Sequence, residues 1–167
     1  MIQRAEELDN FYTNDDPWGY DNIKDDAKRR DILLSEVPNR IYRNVLDIGC
    51  GNGFITEVLP GEQVYGVDFS PKSIDFAKKR YPRSKVHYSQ GDIFDIDKKF
   101  LNTKFDLIII TGVLYPQYIA ESSMLIYDKI STILADDGIL ISVHIKDWYK
   151  SRFPYLLLKQ IFYPYRE

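Results

Sequence analysis

Residues 45–53 read Val-Leu-Asp-Ile-Gly-Cys-Gly-Asn-Gly. An apolar run containing one carboxylate, Asp47, gives way to glycines at 49, 51 and 53, separated by Cys50 and Asn52. Glycine loses more conformational freedom on folding than any other residue. Three in five positions therefore need a backbone reason, either positive φ or the close approach of a ligand or another chain segment. An apolar strand running into such a cluster predicts a tight strand-to-helix turn at the end of a sheet.

The elements around this stretch repeat its pattern. Residues 11–22 are rich in turn formers and aromatics and read as an ordered loop. Residues 21–37 read as an amphipathic helix ended near Pro38, and 43–49 as a buried strand. A helix is expected at 54–59, a second strand at 63–68, and a helix from Pro71 to Arg80 with Ser70 as its cap. Further strands are predicted at 85–89 and 105–110, a helix at 117–134, and an Asp137-Gly138 turn into a fifth strand at 139–145. The remainder, 146–167, is expected to hold one helix and an extended tail. Near-continuous apolar strands separated by helices predict an α/β fold, a doubly wound and mostly parallel sheet with helices on both faces. Ligands bind such sheets at the carboxyl ends of the strands, where the winding reverses. The whole chain, 1–167, reads as one domain, with 43–145 as its nucleotide-binding core and 1–22 as an N-terminal lid.

Composition narrows the function. A formal charge of −3 argues against a broad phosphate-binding surface, and hence against nucleic acid. No apolar run approaches the roughly 20 residues that span a bilayer, so no membrane partner is expected. The N-terminus lacks an apolar signal core, and Cys50 is the lone cysteine; both suit a cytoplasmic protein. No metal site is suggested.

The glycine spacing separates two cofactor readings. The dinucleotide fingerprint G-x-G-x-x-G would need a glycine at 54, where this chain has Phe54, and it rarely carries an acid at the position of Asp47. The stretch Asp47-Ile48-Gly49-Cys50-Gly51-Asn52-Gly53 instead resembles motif I of the class I S-adenosylmethionine (SAM)-dependent methyltransferases. The likeness continues with Asp68, 21 residues on, at the end of the second strand. It extends to Gly91-Asp92-Ile93 after the third strand, to Thr111-Gly112-Val113 after the fourth, and to the fifth strand. This resemblance implies a Rossmann-like fold and SAM as cofactor, with S-adenosylhomocysteine (SAH) as product. It also implies a cofactor site at Asp47, Gly49, Cys50, Gly51, Gly53, Asp68, Phe69, Gly91, Asp92, Ile93, Thr111 and Val113. Asp68 would meet the ribose hydroxyls and Asp92 the adenine amino group.

The acceptor side is less determined. Thr111-Gly112-Val113-Leu114-Tyr115-Pro116 lacks the N/D-P-P-Y/F pattern of enzymes acting on exocyclic base amines, which favours a small-molecule acceptor. The segment Asn14–Asn22, with the basic helix and motif I that follow, resembles the nodulation-factor (NodS-type) N-methyltransferases. That resemblance implies an amino or hydroxyl group of a sugar or sugar derivative as acceptor. It also implies a helix and two-stranded hairpin after the fifth strand, for which residues 146–167 leave room only in shortened form. Tyr12, Trp18 and Tyr20 are expected to cover the cofactor or acceptor. Tyr115, Tyr118, Tyr149 and Tyr155 fall where an acceptor would sit, since a ring with a polar tip suits sugars. His144 and Tyr115 are the candidate bases. A homodimer stays open. Two alternatives remain: a non-catalytic SAM-binding partner or regulatory domain, and a nicotinamide-dependent oxidoreductase.

Overall fold

The structure is a computed structural model that describes residues 5–14, 16, 17, 19, 24–150 and 152–164. Trp18 and Tyr20 lie outside the described residues. Two helices, α1 (Ala5–Asp9) and α2 (Lys24–Glu36), precede β1 (Asn44–Ile48). There follow β2 (Gln63–Asp68), α3 (Pro71–Arg80), β3 (His87–Gln90), α4 (Ile96–Lys99), β4 (Phe105–Thr111), α5 (Pro116–Ile119), α6 (Ser123–Ile133) and β5 (Leu134–Val143). Among the described residues these five strands form one sheet in the order β3-β2-β1-β4-β5, with every pair parallel. The doubly wound α/β fold is therefore present, and the winding reverses between β1 and β4.

Strand alternation sends successive side chains to opposite faces. Leu46, Ile48, Ile108 and Ile110 meet Ile126, Ile130 and Ile133 of α6 on one face. Val45, Leu107 and Ile109 meet Leu33 of α2, Ile55 and Leu59 on the other. Burial of both faces explains why β1 and β4 read as near-continuous apolar runs. No helix among the described residues is long and apolar enough to cross a membrane.

Four local expectations change. In place of a helix at 54–59 there is a single 3-10 turn, Thr56–Val58. Pro60 disfavours helical geometry at Leu59, which is extended (φ −69°, ψ 138°) and ends the turn. The helix expected at 117–134 is two helices, because Ala120 takes φ 49° and donates its N–H to the Pro116 carbonyl, closing α5 before α6 begins. Strand β5 starts earlier than 139. Its register runs from Phe105↔Leu134 to Leu107↔Ile139, so the Asp137-Gly138 turn is an outward irregularity within the strand. After β5, residues 146–164 form neither the expected helix nor a hairpin among the described residues. Pro154 interrupts that stretch, and it is tied down piecemeal. Tyr155 shares a 2.7 Å hydrogen bond with Ser131, and Lys159 pairs with Glu36 at 2.6 Å.

Candidate functional site

The first crossover is held by backbone. Gly49 and Cys50 donate their N–H groups to the Val67 carbonyl at 2.8 and 3.1 Å, so the loop leaves β1 bonded to the end of β2. Gly49 has φ +80°, and a Cβ there would stand 2.3 Å from Val113 Cγ2. Only glycine lets the loop after β1 touch the exit of β4. Gly53 (φ +84°) serves the reverse side, where a Cβ would meet the Tyr88 hydroxyl at 2.3 Å. That hydroxyl donates to Glu57 at 2.9 Å.

Asp68 closes the loop. One of its oxygens accepts from Gly51 N–H at 2.9 Å and the other from Ser70 N–H at 2.9 Å. Burial raises its pKa, against the pull of those two donors. Asp92 accepts from Phe94 N–H at 2.9 Å and so caps a short turn that turns Ile93 inward.

Asp47 is 2% exposed. Oδ2 accepts from Thr56 Oγ1 at 2.7 Å, while Oδ1 is buried and has no partner among the described residues. Loss of hydration lifts this carboxyl from an ordinary 3.8 to about 7. A buried acceptor without a donor is costly unless something arrives to satisfy it.

These groups surround one cavity of about 300 Å³ at the carboxyl ends of the strands, at the reversal point. Of the residues singled out from the sequence, Asp47, Gly49, Cys50, Gly51, Asp68, Phe69, Gly91, Asp92, Ile93, Thr111, Val113, Tyr12, Tyr115 and Tyr118 line it. Gly53 does not; it supports the loop from behind. His144 is not in the wall either. Its ring stacks on Tyr149 with centroids 3.4 Å apart, and burial lowers its pKa to about 4. Tyr155 is bonded to α6 rather than turned toward the cavity. The Tyr115 hydroxyl accepts from Ile145 N–H at 2.7 Å, and burial raises its pKa. Its ring stands edge-on to Trp148 at 5.7 Å, across the cavity mouth.

The family described as "Methyltransferase domain" matches residues 42–161, which span β1 to β5 and the glycine loop. This chain belongs to that family. The chain is 31% identical over 128 residues to nodulation protein S of Azorhizobium caulinodans, covering 74% of this chain and 59% of that protein. It is 42% identical over 72 residues to magnesium-protoporphyrin O-methyltransferase of Rhodobacter capsulatus, covering 40% of this chain and 32% of that one. It superposes on the crystal structure of N-methyltransferase NodS from Bradyrhizobium japonicum WM9 in complex with SAH with a TM-score of 0.72 at 27% identity, covering 83% of this chain and 71% of that chain. The chain thus spans about a third to three fifths of the length of these two curated relatives.

Sequence reading did not single out Arg29, Trp148, Leu8 or Ile145 in the cavity wall. Arg29 left a signal: Asp26, Arg29 and Leu33 share one face of α2, and a buried acid there calls for a cation. Asp26 is fully buried, and Arg29 Nη2 lies 3.2 Å from its carboxylate. Trp148 and Ile145 left none, since they follow the last strand in irregular chain.

Proposed function

We propose that this chain binds SAM in the cavity between β1, β2 and β4 and transfers its methyl group to a small-molecule acceptor. The supporting observation is Asp47 Oδ1, without a partner among the described residues, in the same wall as the Arg29 guanidinium and the Asp68 carboxylate. An acid and a guanidinium at one end of a cavity suit the ammonium and carboxylate of an amino acid. A second acid further along suits a vicinal diol, because an ionised carboxylate only accepts and two hydroxyls donate. Phe69, Ile93 and Phe94 offer apolar surface to a flat base, with Asp92 beside them. Nicotinamide cofactors need a site for a pyrophosphate, and the buried Asp47 with the half-buried Asp68 at the glycine loop opposes one.

When bound, SAM supplies an electrophilic methyl group on a sulfonium. The protein's part is to hold donor and acceptor in line and exclude water, and positioning of that kind is worth effective molarities of about 10⁵ M or more. Thr111, Tyr115, Tyr118 and Trp148 border the space left for an acceptor. Thr111 Oγ1 is buried with no partner among the described residues, so it is available to orient an acceptor hydroxyl or amine. Aromatic rings with polar tips favour a sugar or sugar derivative carrying an amino or hydroxyl group. The likeness to the N-methyltransferase NodS supports an amino group as the position methylated.

Incubation with SAM and a panel of amino sugars, neutral sugars and simple amines, read by mass spectrometry, tests this reading. A methylated amino sugar is expected. SAM binding without transfer to any member would support the non-catalytic SAM-binding domain instead.

A further inference from the structure

The N-terminal helix ends on an acid that reaches the loop beside Asp68. The Asp9 carboxylate accepts a short hydrogen bond from Ser70 Oγ. Ser70 is fully buried and caps α3, where its Oγ also accepts from Ser73 N–H at 3.2 Å. The same serine presents its backbone N–H to Asp68. A second tie comes from Lys72, whose Nζ donates to the Asp9 carbonyl at 3.0 Å. Side chain and main chain of Asp9 are thus both fixed to the first turn of α3.

What this fixes is the cover of the cavity. Leu8, adjacent to Asp9, and Tyr12, three residues on, both line it. Tyr12 is buried, with its ring 6.5 Å from that of Phe76 on α3. Its hydroxyl lies 3.7 Å from where a Gly51 Cβ would project, directly over the glycine loop.

We infer that Asp9 is a latch: a positioning residue that holds the N-terminal segment closed over the cofactor cavity and thereby sets how fast the ligand leaves. This rests on the reading of the cavity as the SAM site. Ser70 joins the two halves of the device, with Asp9 on its hydroxyl and Asp68 on its N–H. A ligand held by Asp68 therefore favours the Ser70 position that the latch needs, and by linkage the closed latch favours the ligand equally. Hydrogen bonds to a charged group are stronger than neutral ones, so loss of this one should raise ligand release about tenfold.

A purely structural role for Asp9, bracing the Ser70 cap of α3, leaves release unchanged, and SAH dissociation rates separate the two. The rates would be measured by stopped-flow fluorescence for wild type, Asp9→Ala, Asp9→Asn and Lys72→Met, alongside melting temperatures and proteolysis within residues 5–14. Asp9→Ala should release SAH about tenfold faster, with association changed by less than about twofold, and should lose SAH-dependent protection of the segment. Asp9→Asn keeps an oxygen facing Ser70 and should recover most of the slow release. Lys72→Met should fall between wild type and Asp9→Ala, and it carries the comparison if Asp9→Ala does not fold. Equal SAH release from wild type, Asp9→Ala and Lys72→Met would overturn the latch while leaving the cavity reading intact. Failure of the wild type to bind SAH would overturn the cavity reading and the latch with it.

Discussion

On the β1–β2 side of the cavity the wall is main chain and carboxylates. Gly49 and Cys50 bond to Val67, and Gly51 and Ser70 bond to Asp68. On the β4–β5 side the wall is side chains: Tyr115, Tyr118 and Trp148 meet ring to ring, and the strand behind them is only half-buried. Trp148 is 53% exposed, whereas Asp47 is 2% exposed. The two sides answer different demands. Fixed donors and acceptors suit a ligand that is always the same. Rings anchored by one hydrogen bond suit the variable acceptor proposed above.

The contrast is sharpest under substitution. Gly49→Ala places a methyl group in a left-handed conformation and against Val113. About 2–4 kcal/mol of destabilisation is expected, with SAH binding lost, and thermal melting with titration would show both. Asp68→Ala removes two loop hydrogen bonds and the proposed diol acceptor together. SAH affinity should fall by on the order of a hundredfold while a folded protein remains. Unchanged binding in this variant would remove Asp68 from the site.

Asp47 gives a pH signature. Its carboxyl titrates near 7 in the fold against an ordinary 3.8, so the folded state keeps a proton that the unfolded chain loses between those values. Its contribution to stability therefore declines as pH rises from about 4 to about 7. Asp47→Asn should raise the melting temperature of the ligand-free protein at pH 8, not at pH 4, and weaken SAH binding. An ammonium beside Asp47 favours the carboxylate, so SAH binding near pH 6 should release protons. Calorimetry in buffers of different ionisation enthalpy would detect the release, and Asp47→Asn should abolish it. The smallest effect belongs to the other side: His144→Gln should alter turnover by no more than about threefold, since the ring lies outside the cavity wall. A larger loss, with an ionisation near 4 in the rate profile, would return His144 to the chemistry.

The same contrast explains what could be read from the sequence. Backbone-built features leave residue-type marks. Glycines at 49 and 51 take positive φ, and acids at 47, 68 and 92 stand at or just beyond strand ends. Strand β2 and helix α3 were legible to the residue, because Ser70-Pro71 announces a cap and Arg80 closes a basic last turn. Side-chain-built features leave weaker marks. The rings of Tyr12, Tyr115 and Tyr118 reach the cavity, yet Tyr149 and Tyr155 have the same composition and pack against His144 and Ser131. Nothing local distinguishes them, because tertiary packing decides which ring turns inward. Gly53 stands behind the cavity wall for a related reason: its positive φ makes room for Tyr88.

The most direct test of the central claim is calorimetric titration of the purified protein with SAM, SAH and NAD in parallel. Micromolar binding of SAM and SAH, with no heat from NAD, is the expected result (a Kd near 1 μM corresponds to about −8 kcal/mol). Binding of NAD alone would contradict it, and would mean that the acids and glycines at the end of β1 serve a different ligand.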